Sequence, residues 1–145
     1  MQRNPAFPNV FGIGVAVAIP PVGKTPLAVG VPKTGFMIES MVTATAENVA
    51  SLIAGKQPQA VATWNAVCLA DFGDDGIAFI AQPEIPPRNV NWSSQGKWVH
   101  LAKIGFEKYF LSKVRRGRSD TFYERMALEA LGIAKLKKVH LEPAE

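Results

Sequence analysis

The stretch ATWNAVCLADFGDDGIAFIA, residues 62–81, gives the clearest folding signal in the sequence. Its first half, ending at Phe72, is apolar and bounded by polar residues, as expected of a strand. The GDDG segment at 73–76 favours a tight turn, because glycine and aspartate adopt the backbone angles that hairpin loops need. The chain then returns through IAFIA as a second strand. We therefore predict a β-hairpin over residues 62–82.

Helical patterns lie on both sides of this hairpin. The first spans residues 34–54, with Gly55 following as a stop signal. Residues 98–116 form the second, which is apolar around most of its circumference. The apolar face expected for the first helix consists of Ile38, Met41, Val42, Thr45, Val49, Leu52 and Ile53.

A further helix is predicted to begin at Thr121, with a capping box completed by Glu124. It should stop before Gly132, since glycine commonly follows the last helical turn. The tail LKKVHLEPAE, residues 136–145, has no periodic pattern and is expected to be loosely ordered.

Proline-rich segments separate these elements. Residues 9–18 are apolar and β-branched enough for a short buried strand. An extended loop follows up to the 34–54 helix, and a second proline-rich connection covers QPEIPPRNVNW, residues 82–92. The chain is thus expected to be α+β, with a short strand, a long helix, an antiparallel hairpin and C-terminal amphipathic helices.

Composition restricts the classes of function. The 145 residues are enough for one domain, and the formal charge of +4 with a pI near 9.4 suits an anionic partner. Nucleic acid is discounted, because the basic run VRRGR lacks interleaved aromatics and a binding-fold signature. No apolar run of about 18 residues is present, so no transmembrane segment is expected. The N-terminus shows no signal-peptide pattern.

Cysteine and histidine usage narrows the chemistry further. Cys68 is the single cysteine, so the chain cannot form an internal disulfide. His100 and His140 are too few and wrongly spaced to form a metal site with it, and no metal is predicted. No Ser-His-Asp arrangement or phosphate-binding glycine loop is evident.

Six phrases, read in order, resemble the C-terminal part of sulfide:quinone oxidoreductases. They are NVFGIG, AIPP, PKTGFMIESM, WNAVCLADFG, IPPRNVNW and KWVHLAKIGFEKYFL. Members of that family are FAD enzymes related to flavocytochrome c sulfide dehydrogenase and to the pyridine nucleotide-disulfide oxidoreductases. The resemblance covers roughly residues 4–132.

The resemblance implies a fragment of a flavoprotein with two dinucleotide-binding domains. Residues 1–56 would be the last piece of the FAD-binding domain, and residues 57–145 the C-terminal domain. The G-x-G-x-x-G fingerprint that seats the FAD pyrophosphate does not occur in the sequence. We therefore expect the N-terminal half of the enzyme to be missing and the chain to be inactive alone.

The resemblance also implies flavin contacts at Gly14, Val15, Lys33, Thr34 and Gly35. The family position of Val15 is normally Asp, whose carboxylate binds ribityl hydroxyls, and valine cannot replace that contact. The helix start at Lys33–Gly35 offers free N–H groups and a partial positive charge to an anionic flavin edge. Without the resemblance, the same residues are an ordinary strand and an exposed lysine.

Cys68 matches a family cysteine that lies against the flavin ring, which implies a catalytic thiol. A thiolate there requires a positive neighbour that lowers its pKa. The alternative is an ordinary buried cysteine, which behaves as a small hydrophobe.

The resemblance implies quinone contacts at Glu39, Val67, Lys103 and Phe106. Phe106 would stack on the quinone and Val67 would pack on it, while Lys103 and Glu39 would lie near its carbonyls. Strand alternation puts Val67 and Cys68 on opposite faces, so a regular strand is not expected to bring both to one ring system. The alternatives are a core Phe106, a surface Lys103 and a solvated Glu39.

The 98–116 helix also suggests attachment to a bilayer interface, as a peripheral membrane protein that receives a lipid-soluble quinone. A core helix with solvated basic ends would give the same pattern. Two other functions stay open: a membrane-peripheral or homo-oligomerising module without a cofactor, and an NADH:quinone oxidoreductase-type flavoprotein. The residues of this predicted membrane face are Trp98, Phe110, Leu111 and Val114, mixed with Lys97, Lys108, Lys113, Arg115 and Arg116.

Overall fold

The computed structural model describes residues 2–21, 23–24, 26–27, 30–118 and 121–137. Within them the chain is α+β, as the sequence predicts. The helices and strands, in chain order, are α1 (Gly35–Ile53), β1 (Ala66–Asp71), β2 (Gly76–Gln82), β3 (Val90–Gln95), α2 (Trp98–Arg115) and α3 (Phe122–Ala130).

The predicted hairpin is confirmed as β1 and β2, which pair antiparallel with Cys68 opposite Phe79. Its turn is closed by carboxylates: Asp71 Oδ1 accepts the Gly73 N–H at 3.0 Å, and Asp75 Oδ1 accepts the Gly76 N–H at 2.9 Å. Gly73 has φ +91°, which a residue with a side chain rarely adopts. The turn predicted from the GDDG segment is therefore confirmed.

The proline-rich connection predicted after β2 is partly wrong, because Val90–Gln95 forms a third strand. The sheet order is β1-β2-β3, and β3 pairs antiparallel with β2. Most residues of β3 are exposed. A short strand with both faces largely in water has no apolar alternation, so it gave no periodic signal.

Helix α1 begins and ends where the sequence predicts. Thr34 is the N-cap, with its hydroxyl accepting the Met37 N–H at 3.3 Å, and Gly55 follows the helix with φ +70°. The buried face differs from the predicted one. Apart from Met41 it is made of Met37, Ser40, Ala44 and Asn48.

Ser40 and Asn48 can be buried because each forms hydrogen bonds with backbone groups inside the fold. The Asn48 side chain donates to the Ala60 carbonyl and accepts the Ala60 N–H, both at 2.8 Å. Ser40 accepts the Thr63 N–H at 2.9 Å and donates to the Lys135 carbonyl at 2.5 Å. A pattern based on apolar residues misses such positions, since burial costs little once every polar atom is paired.

The strand predicted over residues 9–18 is wrong. Gly14–Ala16 forms a single turn of 3-10 helix, with the Val17 N–H donating to the Gly14 carbonyl at 3.2 Å. Gly14 has φ +63°, which interrupts an extended backbone. Val15 is 82% exposed, so its β-branched side chain does not belong to a buried strand.

Helix α2 is confirmed at Trp98–Arg115, but α3 lacks its predicted capping box. The Thr121 hydroxyl instead lies 3.1 Å from the Tyr109 hydroxyl, and Glu124 faces other partners. None of the helices in the described part of the chain is long and apolar enough to cross a bilayer.

The main core cluster lies between α1 and the start of the sheet. Its buried members are Ile19, Met37, Met41, Ala44 and Ala62, with Val17, Val31, Ala60, Trp64, Ile85 and Leu136 packed around them. The described start of the predicted tail is attached, since Leu136 pairs with Ala62 and the Lys137 N–H donates to the Val61 carbonyl at 2.9 Å. Residues 138–145 lie outside the described residues.

We predict that Gly76→Ala lowers the free energy of unfolding by about 1–3 kcal/mol, the usual cost of overpacking. A Cβ at Gly76 would lie 2.8 Å from the Ala70 carbonyl oxygen and 2.9 Å from Val99 Cβ, where α2 packs on the sheet. Gly105→Ala is the control, because its added Cβ would meet no atom within 4 Å beyond its chain neighbours and the nearby backbone of α2 itself. It should raise stability by up to ~1 kcal/mol. Urea unfolding of both variants tests this, and unchanged stability of Gly76→Ala would contradict the close packing.

Candidate functional site

A cavity of about 450 Å³ lies between α1, β1, α2 and α3. Most of its wall is apolar or aromatic, and its charged groups come from all three helices. The residues that line it are Gly35, Phe36, Ile38, Glu39, Val67, Cys68, Leu69, Lys103, Phe106, Tyr109, Phe110, Lys113, Glu124 and Leu128. An apolar cavity with a few polar groups is the usual form of a small-molecule site.

Of the flavin, quinone and catalytic residues that the resemblance implies, Gly35, Glu39, Val67, Cys68, Lys103 and Phe106 line this cavity. Gly14, Val15, Lys33 and Thr34 are not among the residues that line it. Gly14 lies beneath Ile38, to whose Cγ2 an added Cβ would be 3.6 Å away. Val15 is exposed, and Thr34 caps α1. Lys33 immediately precedes that cap and is half-buried.

Val67 and Cys68 both line the cavity although β1 is regular, with each residue paired in unbroken register to β2. Both neighbours are thus part of the cavity wall, and contact of both side chains with one ring system stays a prediction. β1 is an edge strand of the described sheet, so one of its long sides is unpaired there.

The Cys68 thiol is harder to ionise here than an ordinary cysteine. Burial raises its pKa, the nearby Lys103 ammonium opposes that shift, and Glu84 adds to it. The positive neighbour that a reactive thiolate requires is therefore present, but in this structure it does not outweigh desolvation.

The charged end of the cavity is a closed ring of four side chains, which we call the charge ring: Glu39, Lys113, Glu124 and Lys135. The Lys113 Nζ lies 2.5 Å from Glu39 Oε1 and 3.0 Å from Glu124 Oε2. The Lys135 Nζ lies 2.5 Å from Glu124 Oε1 and 3.2 Å from Glu39 Oε2. Positive and negative groups alternate, so the ring is neutral.

Sequence reasoning missed this ring. It assigned Lys113 to the membrane face and Glu124 to a capping box, whereas the Lys113 side chain is only 3% exposed. Lys113 and Glu39 are separated by 74 positions in the chain, so no local spacing indicates their pairing. The 11-residue separation of Lys113 and Glu124 crosses a helix boundary and gives no periodic signal either.

Burial and hydrogen bonding together shift the pKa values of Glu124, Lys113 and Tyr109. Burial raises the pKa of Glu124, but hydrogen bonds from Lys135, Tyr109 and Lys113 outweigh it and lower that pKa to about 2. Burial lowers the pKa of Lys113, and its bonds to Glu39 and Glu124 reverse this, so the net shift is upward. The pKa of the Tyr109 hydroxyl, which donates to Glu124, is raised by burial and by that bond.

Exposed apolar and aromatic side chains on α2 and α3, which we call the apolar surface, extend beyond the cavity lining. Phe106 is 49% exposed and stacks on Phe110 with ring centroids 6.0 Å apart. A cationic groove formed by Lys108, Arg115 and Arg116 borders this surface. The exposed apolar residues that make up the surface are Trp98, Leu101, Phe106, Phe110, Leu111, Val114, Phe122, Met126 and Leu131.

Comparison with known proteins identifies a relative that is much longer than this chain. The sulfide-quinone reductase of Aquifex aeolicus (strain VF5) is 47% identical over 127 residues, which cover 88% of this chain and 30% of the relative. No model of a protein family matches the chain.

A solved structure gives the same result. The X-ray structure of the sulfide:quinone oxidoreductase from the hyperthermophilic bacterium Aquifex aeolicus superposes with a TM-score of 0.88 at 44% identity. The match covers 94% of this chain and 32% of that chain. The resemblance inferred from the sequence and the α+β fold are therefore confirmed, and the chain spans about a third of the length of these relatives.

We predict that Glu124→Gln destabilises the chain by about 3 kcal/mol at neutral pH, because Lys113 and Lys135 lose a shared carboxylate in a buried site. Since the pKa of Glu124 is lowered to about 2 from an ordinary 4.5, its stabilisation is present above pH 4.5 and is lost as the pH falls towards 2. Thermal unfolding from pH 7 to pH 2 should therefore show the two proteins converging in acid.

The control is Glu107→Gln, which removes an exposed carboxylate from α2. It should change stability by less than ~0.5 kcal/mol at every pH. A Glu124→Gln variant as stable as the original chain at pH 7 would contradict the role given to the charge ring.

Proposed function

We propose that this chain is the C-terminal part of an FAD-dependent sulfide:quinone oxidoreductase, which passes electrons from sulfide to a membrane quinone. The observation that carries the proposal is the cavity, in which Cys68, Lys103, Phe106 and Glu39 meet in a homologue of a sulfide-quinone reductase. The rest of the enzyme would be a partner that this chain requires, so the chain alone would be inactive.

The quinone would occupy the cavity. Its volume of about 450 Å³ lies within the usual range for small-molecule sites, and its aromatic wall suits a planar ring. Phe106 would stack on the quinone, with the interaction worth ~0.5–1.5 kcal/mol beyond simple burial. Val67 would pack on the ring from β1, while Lys103 and Glu39 would lie near its carbonyl oxygens.

The residues at the start of α1 fit the edge of a flavin. A Cβ added to Gly35 would meet no atom within 4 Å, so a ring can approach the backbone there. The first N–H groups of the helix and Lys33 supply positive charge for the flavin pyrimidine edge. Gly14 and Val15 would contact the ribityl side of the cofactor. When bound, FAD would supply the two-electron chemistry that links the sulfur donor to the quinone.

Cys68 would be the catalytic thiol. Lys103 already favours its thiolate, and Cys68 shares the cavity with Gly35. A flavin seated against Gly35 would therefore share this cavity with the thiol. Sulfur transfer to or from Cys68 requires deprotonation, which the Lys103 ammonium promotes.

The apolar surface on α2 and α3 would dip into one leaflet of a membrane, making the enzyme a peripheral membrane protein. The adjacent basic residues Lys108, Arg115 and Arg116 suit lipid phosphates. The same exposed surface would otherwise favour a homo-oligomer.

The enzymatic proposal is tested in a chimera in which this chain replaces the matching segment of the Aquifex relative. Cys68→Ser should lower sulfide-dependent reduction of duroquinone at least ~10-fold, because the nucleophile is removed. Phe106→Ala should mainly raise KM for the quinone, since it removes a binding contact.

Leu69→Ala is the control for Cys68, because it changes the cavity wall from the neighbouring position on β1 without touching the thiol. A chimera without activity, or a Cys68→Ser loss below ~10-fold, would contradict the proposed catalytic role. The unfused 145-residue chain should show no sulfide-dependent quinone reduction.

Membrane attachment has a separate test. The paired change Leu111→Ser and Val114→Ser should reduce co-sedimentation with phosphatidylglycerol vesicles several-fold, because each buried apolar side chain contributes ~1.5–3 kcal/mol. Ile53→Ser is the control, since Ile53 is 83% exposed but lies at the end of α1. Equal loss in the two proteins would contradict an α2 membrane surface.

A further inference from the structure

The charged end of the cavity contains a cation to which the proposed function gives no role. Lys113 lines the cavity and is nearly inaccessible to water. Lys103, the cation near Cys68, lies ten positions earlier on α2 (113 − 103), which is about 15 Å along the axis at 1.5 Å per residue. The two lysines therefore serve different ends of the site.

The Lys113 ammonium is fixed from several directions. Glu39 Oε1 and Glu124 Oε2 accept two of its hydrogen bonds, at 2.5 Å and 3.0 Å. It also lies 5.6 Å from the ring centroid of Tyr109 and 5.5 Å from that of Phe110. An ammonium has three N–H donors, so one remains beyond those given to the carboxylates.

The surrounding charges decide which ligand this donor suits. Because the charge ring is neutral, Lys113 needs no anion in the cavity to compensate it. A donor of this kind suits an uncharged oxygen acceptor attached to a planar ring. The stacked Phe106 and Phe110 side chains supply the flat wall beside it.

We propose that Lys113 is a binding residue of this site, whose charge-neutralised ammonium donates a hydrogen bond to a carbonyl oxygen of the quinone. This inference rests on the proposed function and adds a residue that sequence reasoning placed on the membrane face. Reduction of the quinone to a quinol takes two electrons, from the flavin, and two protons. A donor fixed at the oxygen stabilises the negative charge that develops there before protonation is complete.

Lys135 offers a matched control within the same charge ring. It contacts the same carboxylates, at 3.2 Å for Glu39 and 2.5 Å for Glu124, but it is not among the residues that line the cavity. Lys113→Met and Lys135→Met therefore remove the same charge from the same ring. The two variants differ because only Lys113 lines the cavity, where its ammonium could contact a ligand.

The experiment measures duroquinone binding to the purified 145-residue chain by quenching of its tryptophan fluorescence, together with thermal unfolding. Both methionine variants should lower the unfolding temperature. Lys113→Met should weaken binding at least ~10-fold, the effect of losing a hydrogen bond from a charged donor, whereas Lys135→Met should change it less than ~3-fold.

Lys113→Arg provides a second measurement if the methionine variant does not fold. It keeps the charge but moves the donors, so it should retain the unfolding temperature and still weaken binding ~3-fold or more. Unchanged affinity in Lys113→Arg or Lys113→Met would overturn the inference and leave the proposed function standing. Equal weakening in the two methionine variants would also overturn it, since the effect would then be structural. An original chain that binds no duroquinone would overturn the inference, whereas the proposed function would still be decided by the activity of the chimera.

Discussion

A lysine ammonium inside a protein must be neutralised, because leaving such a charge unpaired in the interior costs several kcal/mol. In this chain Lys113 sets that requirement, and the partners that meet it come from distant places. Glu39 belongs to α1, Glu124 to α3, and Lys135 to the segment that follows α3. The charge ring therefore fixes where these elements meet. If one of these elements moved away, a charged side chain of the ring would lose a partner.

The position of α3 shows how far this constraint extends. None of the residues described in α3 is fully buried, so apolar packing alone does not hold the helix. Its polar attachments include the Glu124 bonds to Lys113, Lys135 and Tyr109 and the bond between Thr121 and Tyr109. Since Glu124 and Leu128 line the cavity, the same attachments also shape its wall. The opposite wall includes Val67, Cys68 and Leu69 of β1, which is an edge strand of the described sheet.

The parts of the fold with local chemical causes could be predicted from the sequence. Thr34 and Gly55 marked the ends of α1, and the GDDG turn marked the hairpin. Features that depend on distant partners could not. The buried side of α1 includes Ser40 and Asn48, whose partners lie 12 to 95 positions away. At residues 9–18 the apolar pattern predicted a strand that does not form, because the positive φ of Gly14 ends extended structure there.

The candidate site divides in the same way. The family resemblance singled out Gly35, Glu39, Val67, Cys68, Lys103 and Phe106, which the fold brings to one cavity; their catalytic and binding roles stay predictions. Strand alternation argued against contact of both Val67 and Cys68 with one ring system, which is not decided by their both lining the cavity. No sequence pattern indicated that Lys113 belongs to the site. A basic residue near the end of an amphipathic helix is normally exposed, and only the tertiary structure shows that this one is enclosed.

The hydrogen bond between Ser40 and the Lys135 carbonyl has a consequence for how the molecule is made. It joins residues 95 positions apart, and the pairing of Ala62 with Leu136 closes the same gap in the core. A ribosome adds about 5–20 residues per second, so α1 waits roughly 5–20 s for the segment that completes its polar contacts. Until these residues have been made, Ser40 lacks its Lys135 acceptor and Ala62 lacks its pairing with Leu136. These contacts therefore form late in synthesis, after the residues of α1 and of the sheet have been joined.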